Sequence, residues 1–184
     1  MNQDFSNAVI LKLDKENIEI FRDKLIKLYL KCFTTGKYAQ YISEKDAEKE
    51  WKKYAEIGQI YVALQDEKLA GVLVAYPLKC DKDFPKQTKI SIEKSIYIAE
   101  LMTEEEFRGK GIGMKLTGYF LEKMNKATYS EVVIRVWDEN IPALSLYKKL
   151  GFEETGISIQ QTKYRSENKT FKMNKIYLIK HLNS

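Results

Sequence analysis

The run Arg108-Gly109-Lys110-Gly111-Ile112-Gly113 joins a strand-like stretch, residues 95–103, to a helical one, residues 112–126. Three glycines among these six residues free the backbone to curl, so successive amide N–H groups converge on one point. That point falls at the start of a helix, where unpaired N–H groups and the helix dipole favour an anion. The run therefore reads as a phosphate cradle. Downstream, Glu131-Val132-Val133-Ile134-Arg135-Val136-Trp137 is a second strand. Strand, glycine loop, helix and strand make a βαβ unit, which predicts parallel strands and a right-handed crossover.

Outward from that unit the chain alternates between strand and helix periods. Residues 8–13 read as a first strand, after which Asp14 caps a helix with the apolar stripe Ile18, Phe21, Leu25, Leu28 and Cys32. Thr34-Thr35-Gly36 ends it. Ser43, with Asp46 after it, resembles a capping box and opens a second helix through Ala47, Trp51 and Tyr54, closed by Gly58. Residues 60–64 and 69–76 are strands joined by Gln65-Asp66-Glu67-Lys68, and Pro77 stops the second. Residues 79–94 are polar and lysine-rich and read as a long loop.

Within residues 95–103, strict alternation puts Ile96, Ile98, Glu100 and Met102 on one face of the strand. Tyr97, Ala99, Leu101 and Thr103 then share the other. Ile112, Leu116, Phe120 and Met124 recur every fourth residue, a helix stripe laid on a sheet. Asn140 and Pro142 start a further helix that Leu150-Gly151 ends. Residues 156–162 and 171–180 close the chain as two strands joined by a polar loop. The order predicts a mixed sheet flanked by helices, of the α/β class (α+β by some schemes).

Composition bounds the function. At 184 residues, 44% hydrophobic and 31% charged, the chain reads as one soluble globular domain. The longest apolar run, residues 69–76, is far short of the ~20 residues that span a bilayer. The first seven residues lack the pattern of a signal peptide. Cys32 and Cys80 have no metal or redox spacing and read as reduced thiols. With His181 the only histidine, a His/Cys metal site and a Ser-His-Asp triad are both disfavoured. The expectation is a cytoplasmic protein with no metal. The net charge of +5 comes from interleaved Lys and Glu without a basic block, so no nucleic-acid partner is expected. A phosphorylated small ligand accounts for the mild positive excess.

Two nucleotide readings of the cradle fail. Gly113 is followed by Met114-Lys115-Leu116, not the Lys-Ser/Thr of a P-loop. The glycine spacing and the position late in the chain differ from the dinucleotide fingerprint.

Arg108-x-x-Gly111-x-Gly113 resembles the pyrophosphate-binding signature of the GNAT N-acetyltransferases. The stretch Asn140-x-x-Ala143-x-x-x-Tyr147-x-x-x-Gly151-Phe152 resembles that family's helix on the coenzyme A side, in the right order and separation. The resemblance covers residues 95–156. It implies a mixed, mostly antiparallel sheet of about six to seven strands with about four helices. It divides the single acetyltransferase domain, residues 1–184, into acceptor-side residues 8–94, an acetyl-CoA-binding core at 95–156 and a closing strand pair at 157–184.

By the same resemblance, Leu101, Met102 and Thr103 pair with the pantetheine arm and receive the acetyl oxygen. Arg108, Gly109, Lys110, Gly111, Ile112 and Gly113 hold the pyrophosphate. Asn140 touches the cofactor or holds its helix start, and Tyr147 is the acid that serves the leaving thiolate. Glu100, on the strand just before the acetyl-binding segment, is the candidate base, acting directly or through water. Tyr38 and Tyr41 are candidates to line an amine pocket by cation–π contact, and Glu104 to border it.

The function implied is acetyl transfer from acetyl-CoA to a primary amine of a small molecule or peptide, by direct attack, in a monomer or homodimer. The alternative is a coenzyme-A-binding sensor without turnover. The sequence names no particular acceptor.

Overall fold

Helices begin where a side-chain oxygen meets an amide left over by the first turn. Asp14 Oδ1 accepts from the Asn17 amide at 2.8 Å, and helix α1 runs Lys15–Thr34. Ser43 Oγ accepts from the Asp46 amide at 3.1 Å to start α2, Glu44–Ile57, and the Gly58 amide closes it on the Tyr54 carbonyl. Helix α3, Ile112–Lys123, has no side-chain cap. Asn140 Oδ1 accepts from the Ala143 amide at 3.3 Å and starts α4, Ile141–Lys149. The structure, a computed structural model, describes residues 7–36, 39–85 and 88–182.

The strands are β1 Val9–Lys12, β2 Gln59–Gln65, β3 Lys68–Pro77, β4 Ser95–Thr103, β5 Glu131–Trp137, β6 Glu153–Ser166 and β7 Lys169–His181. They form one seven-stranded sheet in the order β1-β2-β3-β4-β5-β7-β6. Every pairing is antiparallel except β4 with β5, the parallel pair of the central βαβ unit. The α/β fold therefore stands as expected.

Strand alternation divides the core between the two faces. On one, Leu25 and Leu28 of α1 with Trp51 and Tyr54 of α2 pack against Val72, Val74, Tyr97, Val133 and Tyr177. On the other, Ile112, Leu116 and Phe120 of α3 with Tyr147 of α4 pack against Leu73, Ile96, Ile98, Val132 and Ile134.

Strict alternation along β4 fails at one residue. Val74 pairs with Glu100 while Ala75 pairs with Ile98, so Ala99 is an extra residue, a β-bulge that resets the side-chain phase. Ile96 and Ile98 face α3, with Leu101. Met102 falls on the α1/α2 face with Tyr97, and Glu100 reaches Tyr54 of α2. Ile98 and Glu100 do not share a face.

The last loop is shorter than expected. The last strands extend well into the polar stretch between residues 162 and 171, leaving only Glu167 and Asn168 as the turn. Alternate residues of β6 are exposed, and a strand solvated on one side carries little apolar signal. The expected loop at residues 79–94 is packed onto the sheet through Asp83 and Phe84. Phe84 packs edge-on against Tyr177 at 5.1 Å, and Asp83 Oδ2 lies 3.4 Å from Arg135 Nη1 and 3.0 Å from Gln161 Nε2. Asp83 and Phe84 thereby cover the α1/α2 face over β5, β7 and β6.

Close approach of α3 to the sheet requires a glycine at position 71. A Cβ there would meet Ile112 Cγ2 and the Met102 carbonyl oxygen, both at 2.8 Å. Gly71→Ala is therefore expected to cost about 1–3 kcal/mol by overpacking. Gly118→Ala, in α3 with nothing within 4 Å, is expected to raise stability by up to ~1 kcal/mol. Thermal unfolding of the two variants should show shifts of opposite sign.

Candidate active site

The sheet opens at its middle. β4 and β5 pair in parallel only from Ser95↔Glu131 to Ile98↔Ile134. Beyond Ile98, β4 continues to pair with β3 as far as Thr103, and β5 continues to pair with β7 as far as Trp137. Among the described residues the edge of β4 that faces β5 therefore has no strand partner over its last residues, and the bulge at Ala99 lies where the two strands part. An extended arm bearing amide groups can add to such an edge as a partial strand does.

The start of α3 stands at the end of β4. A Cβ on Gly113 would lie 3.5 Å from Leu101 Cδ2 and 3.0 Å from Leu146 Cδ1, so this turn is wedged between β4 and α4. Gly111 is the N-cap, in the left-handed region at φ 83°, where a glycine is needed. The first amide to turn back into the helix here is that of Lys115, which donates to the Gly111 carbonyl at 2.9 Å. The uncapped turn before it is suited to an anion.

Glu100 and Tyr147 belong to the two sides of this opening. The Tyr54 hydroxyl donates to Glu100 Oε1 at 2.7 Å. Burial pushes the Glu100 carboxyl up to about 7, with Tyr54 and the positive charge of Lys175 pulling it back and Glu50 adding to the rise. Tyr147 is buried against Phe152, ring centroids 5.4 Å apart and nearly perpendicular. Burial first, and the charge of Glu100 second, hold its phenol well above the usual range. The two groups thus feel each other electrostatically.

The model of the Acetyltransferase (GNAT) family matches residues 22–152. The chain belongs to the GNAT family. Human N-acetyltransferase 8B is 34% identical to it over 98 residues, 53% of this chain and 40% of that protein. N-alpha-acetyltransferase 30 of Schizosaccharomyces pombe is 33% identical over 92 residues, 50% of this chain and 55% of that protein. The matched region thus spans about half the length of these relatives. A Salmonella typhimurium protein solved with acetyl-CoA shares the fold at a TM-score of 0.66 and 12% identity, covering 97% of this chain and 96% of that one.

In this GNAT chain the remaining candidate residues fall into distinct places. Arg108 does not extend along the cradle: its Nε donates to the Thr103 carbonyl at 3.3 Å, and its Nη2 lies 3.9 Å from Cys32 Sγ. Lys110 Nζ lies 5.8 Å from the centroid of the Phe107 ring. Asn140 holds the start of α4, the second of the two roles considered for it. Glu104 is ion-paired with Lys31 of α1. The exposed Tyr41 hydroxyl donates to Glu167 at 3.0 Å and the Tyr41 amide to the Tyr164 carbonyl at 2.7 Å, tying the α1–α2 connection to the tip of the β6–β7 hairpin. Tyr38 lies outside the described residues. Cys32, remote from both motifs in sequence, reaches within 3.8 Å of the Thr103 carbonyl, and burial raises its thiol.

Other polar groups around Glu100 had no signal in the sequence. Tyr54 sits on the apolar stripe of α2, Lys163 reads as part of the polar loop between the last two strands, and Lys175 reads as an ordinary polar strand residue. Among the described residues no group of His, Cys, Asp and Glu is placed to hold a metal ion, and no helix is long and apolar enough to cross a membrane.

Proposed function

We propose that this GNAT chain transfers an acetyl group from acetyl-CoA to the primary amine of a small molecule or peptide, without a covalent enzyme intermediate. The observation that carries the reading is the opening between β4 and β5. It ends at the uncapped, glycine-led start of α3 and has Glu100 and Tyr147 at its sides.

The free edge of Leu101, Met102 and Thr103 offers backbone donors and acceptors to the pantetheine arm and to the acetyl oxygen. The amides from Gly109 to Gly113, with Lys110 beside them, offer an anion site for the pyrophosphate. Arg108, which braces the end of β4, binds the pyrophosphate by exchanging its bond to the Thr103 carbonyl for one to a phosphate oxygen. Asn140 acts through α4, whose start it fixes and on which Tyr147 rides. Glu104, paired with Lys31, borders the acceptor side.

The acetyl carbon forms its bond to the amine nitrogen as its bond to sulfur breaks. The proton leaving nitrogen passes to Glu100, whose raised pKa suits a base near neutral pH. The departing thiolate is met by the Tyr147 hydroxyl. Because burial raises its pKa, that phenol stays protonated at every working pH and stabilises the thiolate chiefly as a hydrogen-bond donor.

The acceptor-side helices within residues 8–94, the core at 95–156 and the hairpin within 157–184 all contribute walls to one site. The two thiols are free, consistent with work in the cytoplasm, and nothing in the mechanism requires more than one copy of the chain. The test is acceptor-dependent release of free coenzyme A from acetyl-CoA across a panel of amines. Binding of acetyl-CoA with no amine-dependent release would replace this reading with that of a sensor.

A further inference from the structure

On the α1/α2 face, beyond Glu100, register aligns a row of basic residues. Arg135 lies opposite Tyr177 and Trp137 opposite Lys175 across the β5–β7 pair. Across the β7–β6 pair, Lys175 lies opposite Ile159, Met173 opposite Gln161 and Phe171 opposite Lys163. All point to the same face by the two-residue period.

Arg135 is occupied. Its Nη1 lies 3.8 Å from Asp81 Oδ2 and 3.4 Å from Asp83 Oδ2, and it donates to the Tyr177 hydroxyl at 3.2 Å. Lys163 and Lys175 are not. Both are half-buried, and neither has an ion-pair or hydrogen-bond partner among the described residues. An ammonium withdrawn from water without a partner is costly, and three cations on one strip repel one another. Lys175 is accordingly pushed down to about 8, by burial first and then by Lys163 and Arg135, and Lys163 is lowered by burial and Arg135. Glu100 and Asp83 are felt by both lysines, and Glu50 by Lys163, but none of these carboxylates lies within ion-pair distance of either.

This strip lies across from the start of α3, where the cofactor's pyrophosphate belongs, so an anion held here has to come with the acceptor. A neutral amine brings nothing to satisfy two unpaired ammonium groups. An amino acid does.

We propose that the acceptor carries a carboxylate as well as its amine, as an amino acid or short peptide does, with the carboxylate held by Lys163 and Lys175 while the amine is presented to Glu100. This rests on the acetyl-transfer reading above. Glu100 and the lysine pair then form two poles that select a zwitterion, its ammonium end guided by the one and its carboxylate by the other.

Matched pairs test it: amino acids and dipeptides, each against its own C-terminal amide, assayed by coenzyme A release at low ionic strength and near pH 7. The acid is expected to exceed its amide in kcat/KM by about tenfold or more. Lys163→Met and Lys175→Met should each draw that ratio toward one, through KM for the acid, while Lys172→Met, on the exposed face of β7, should keep it. The wild-type ratio needs no variant, so a variant that fails to fold does not shield the proposal. An amide used as well as its acid, or a ratio unmoved in both lysine variants, overturns the proposal and leaves acetyl transfer standing. No release with any amine overturns both.

Discussion

Glu100→Gln is expected to lower kcat on the order of 10²–10⁴-fold and to remove the rise in rate through about pH 7. Burial holds the wild-type carboxyl protonated to about that pH, so the base form accumulates only as pH rises past it, and a glutamine has no base form. The groups felt at this carboxylate are Tyr54 and Glu50 from α2, Tyr29 and Cys32 from α1, Tyr76 from β3, Tyr97 from β4 itself, Tyr147 from α4, and Lys163 and Lys175 from the closing hairpin. Among them Lys175 is pushed down to about 8, and in the proposed site it acts on the acceptor's KM.

Stability gives the opposite sign from activity. A carboxyl whose folded pKa lies above its unfolded value contributes stability in its neutral form below its ordinary value of 4.5, and that contribution is lost as pH rises through about 7. Glutamine keeps the neutral form, and its side-chain oxygen can still accept from Tyr54. The variant should therefore gain in Tm relative to wild type at pH 8 compared with pH 5. Activity lost while alkaline stability is gained marks Glu100 as a working base. An unchanged pH–rate profile assigns that role to water or to another residue.

Tyr147→Phe is expected to lower kcat by about 10²-fold while the affinity for acetyl-CoA changes by less than about twofold. Phenylalanine keeps the edge-on contact with Phe152 and removes only the hydroxyl, so a purely structural tyrosine would show little change in turnover. An inactivated variant that still binds coenzyme A places the loss in the chemical step. Unchanged kcat removes Tyr147 from the reaction.

Local signals carried much of this fold in the sequence. Asp14, Ser43 and Asn140 each announce a helix through a cap confined to one turn, and each is found capping. The glycines at 109, 111 and 113 announce an uncapped helix start in the same way. The bulge at Ala99 was not legible, because it exists only in the register of β4 against Val74 and Ala75 of β3. Reading β4 as regular put Glu100 on the face of Ile98 as well as that of Met102, and only Met102 shares it. Its partner, the Tyr54 hydroxyl, comes from a helix distant in sequence, on a side chain whose spacing signals only core packing.

The hairpin lysines illustrate the same limit. Lys163 and Lys175 alternate with other polar residues, and only pairing with β5 shows that they share a face with Arg135. The loop at 79–94 gives no sequence sign that Phe84 and Asp83 will cover that face. Residue type and spacing point to the cofactor side, whereas the acceptor side is assembled from long-range contacts.

Single turnover with acetyl-CoA carrying an isotope-labelled acetyl group tests the central claim most directly. On mixing the enzyme with a zwitterionic amine, the label should appear on the amine as an amide at the rate at which free coenzyme A is released, with none on the protein at any time. Label retained on acetyl-CoA despite its binding, or label passing first onto the protein at Cys32, would contradict direct transfer in the opening between β4 and β5.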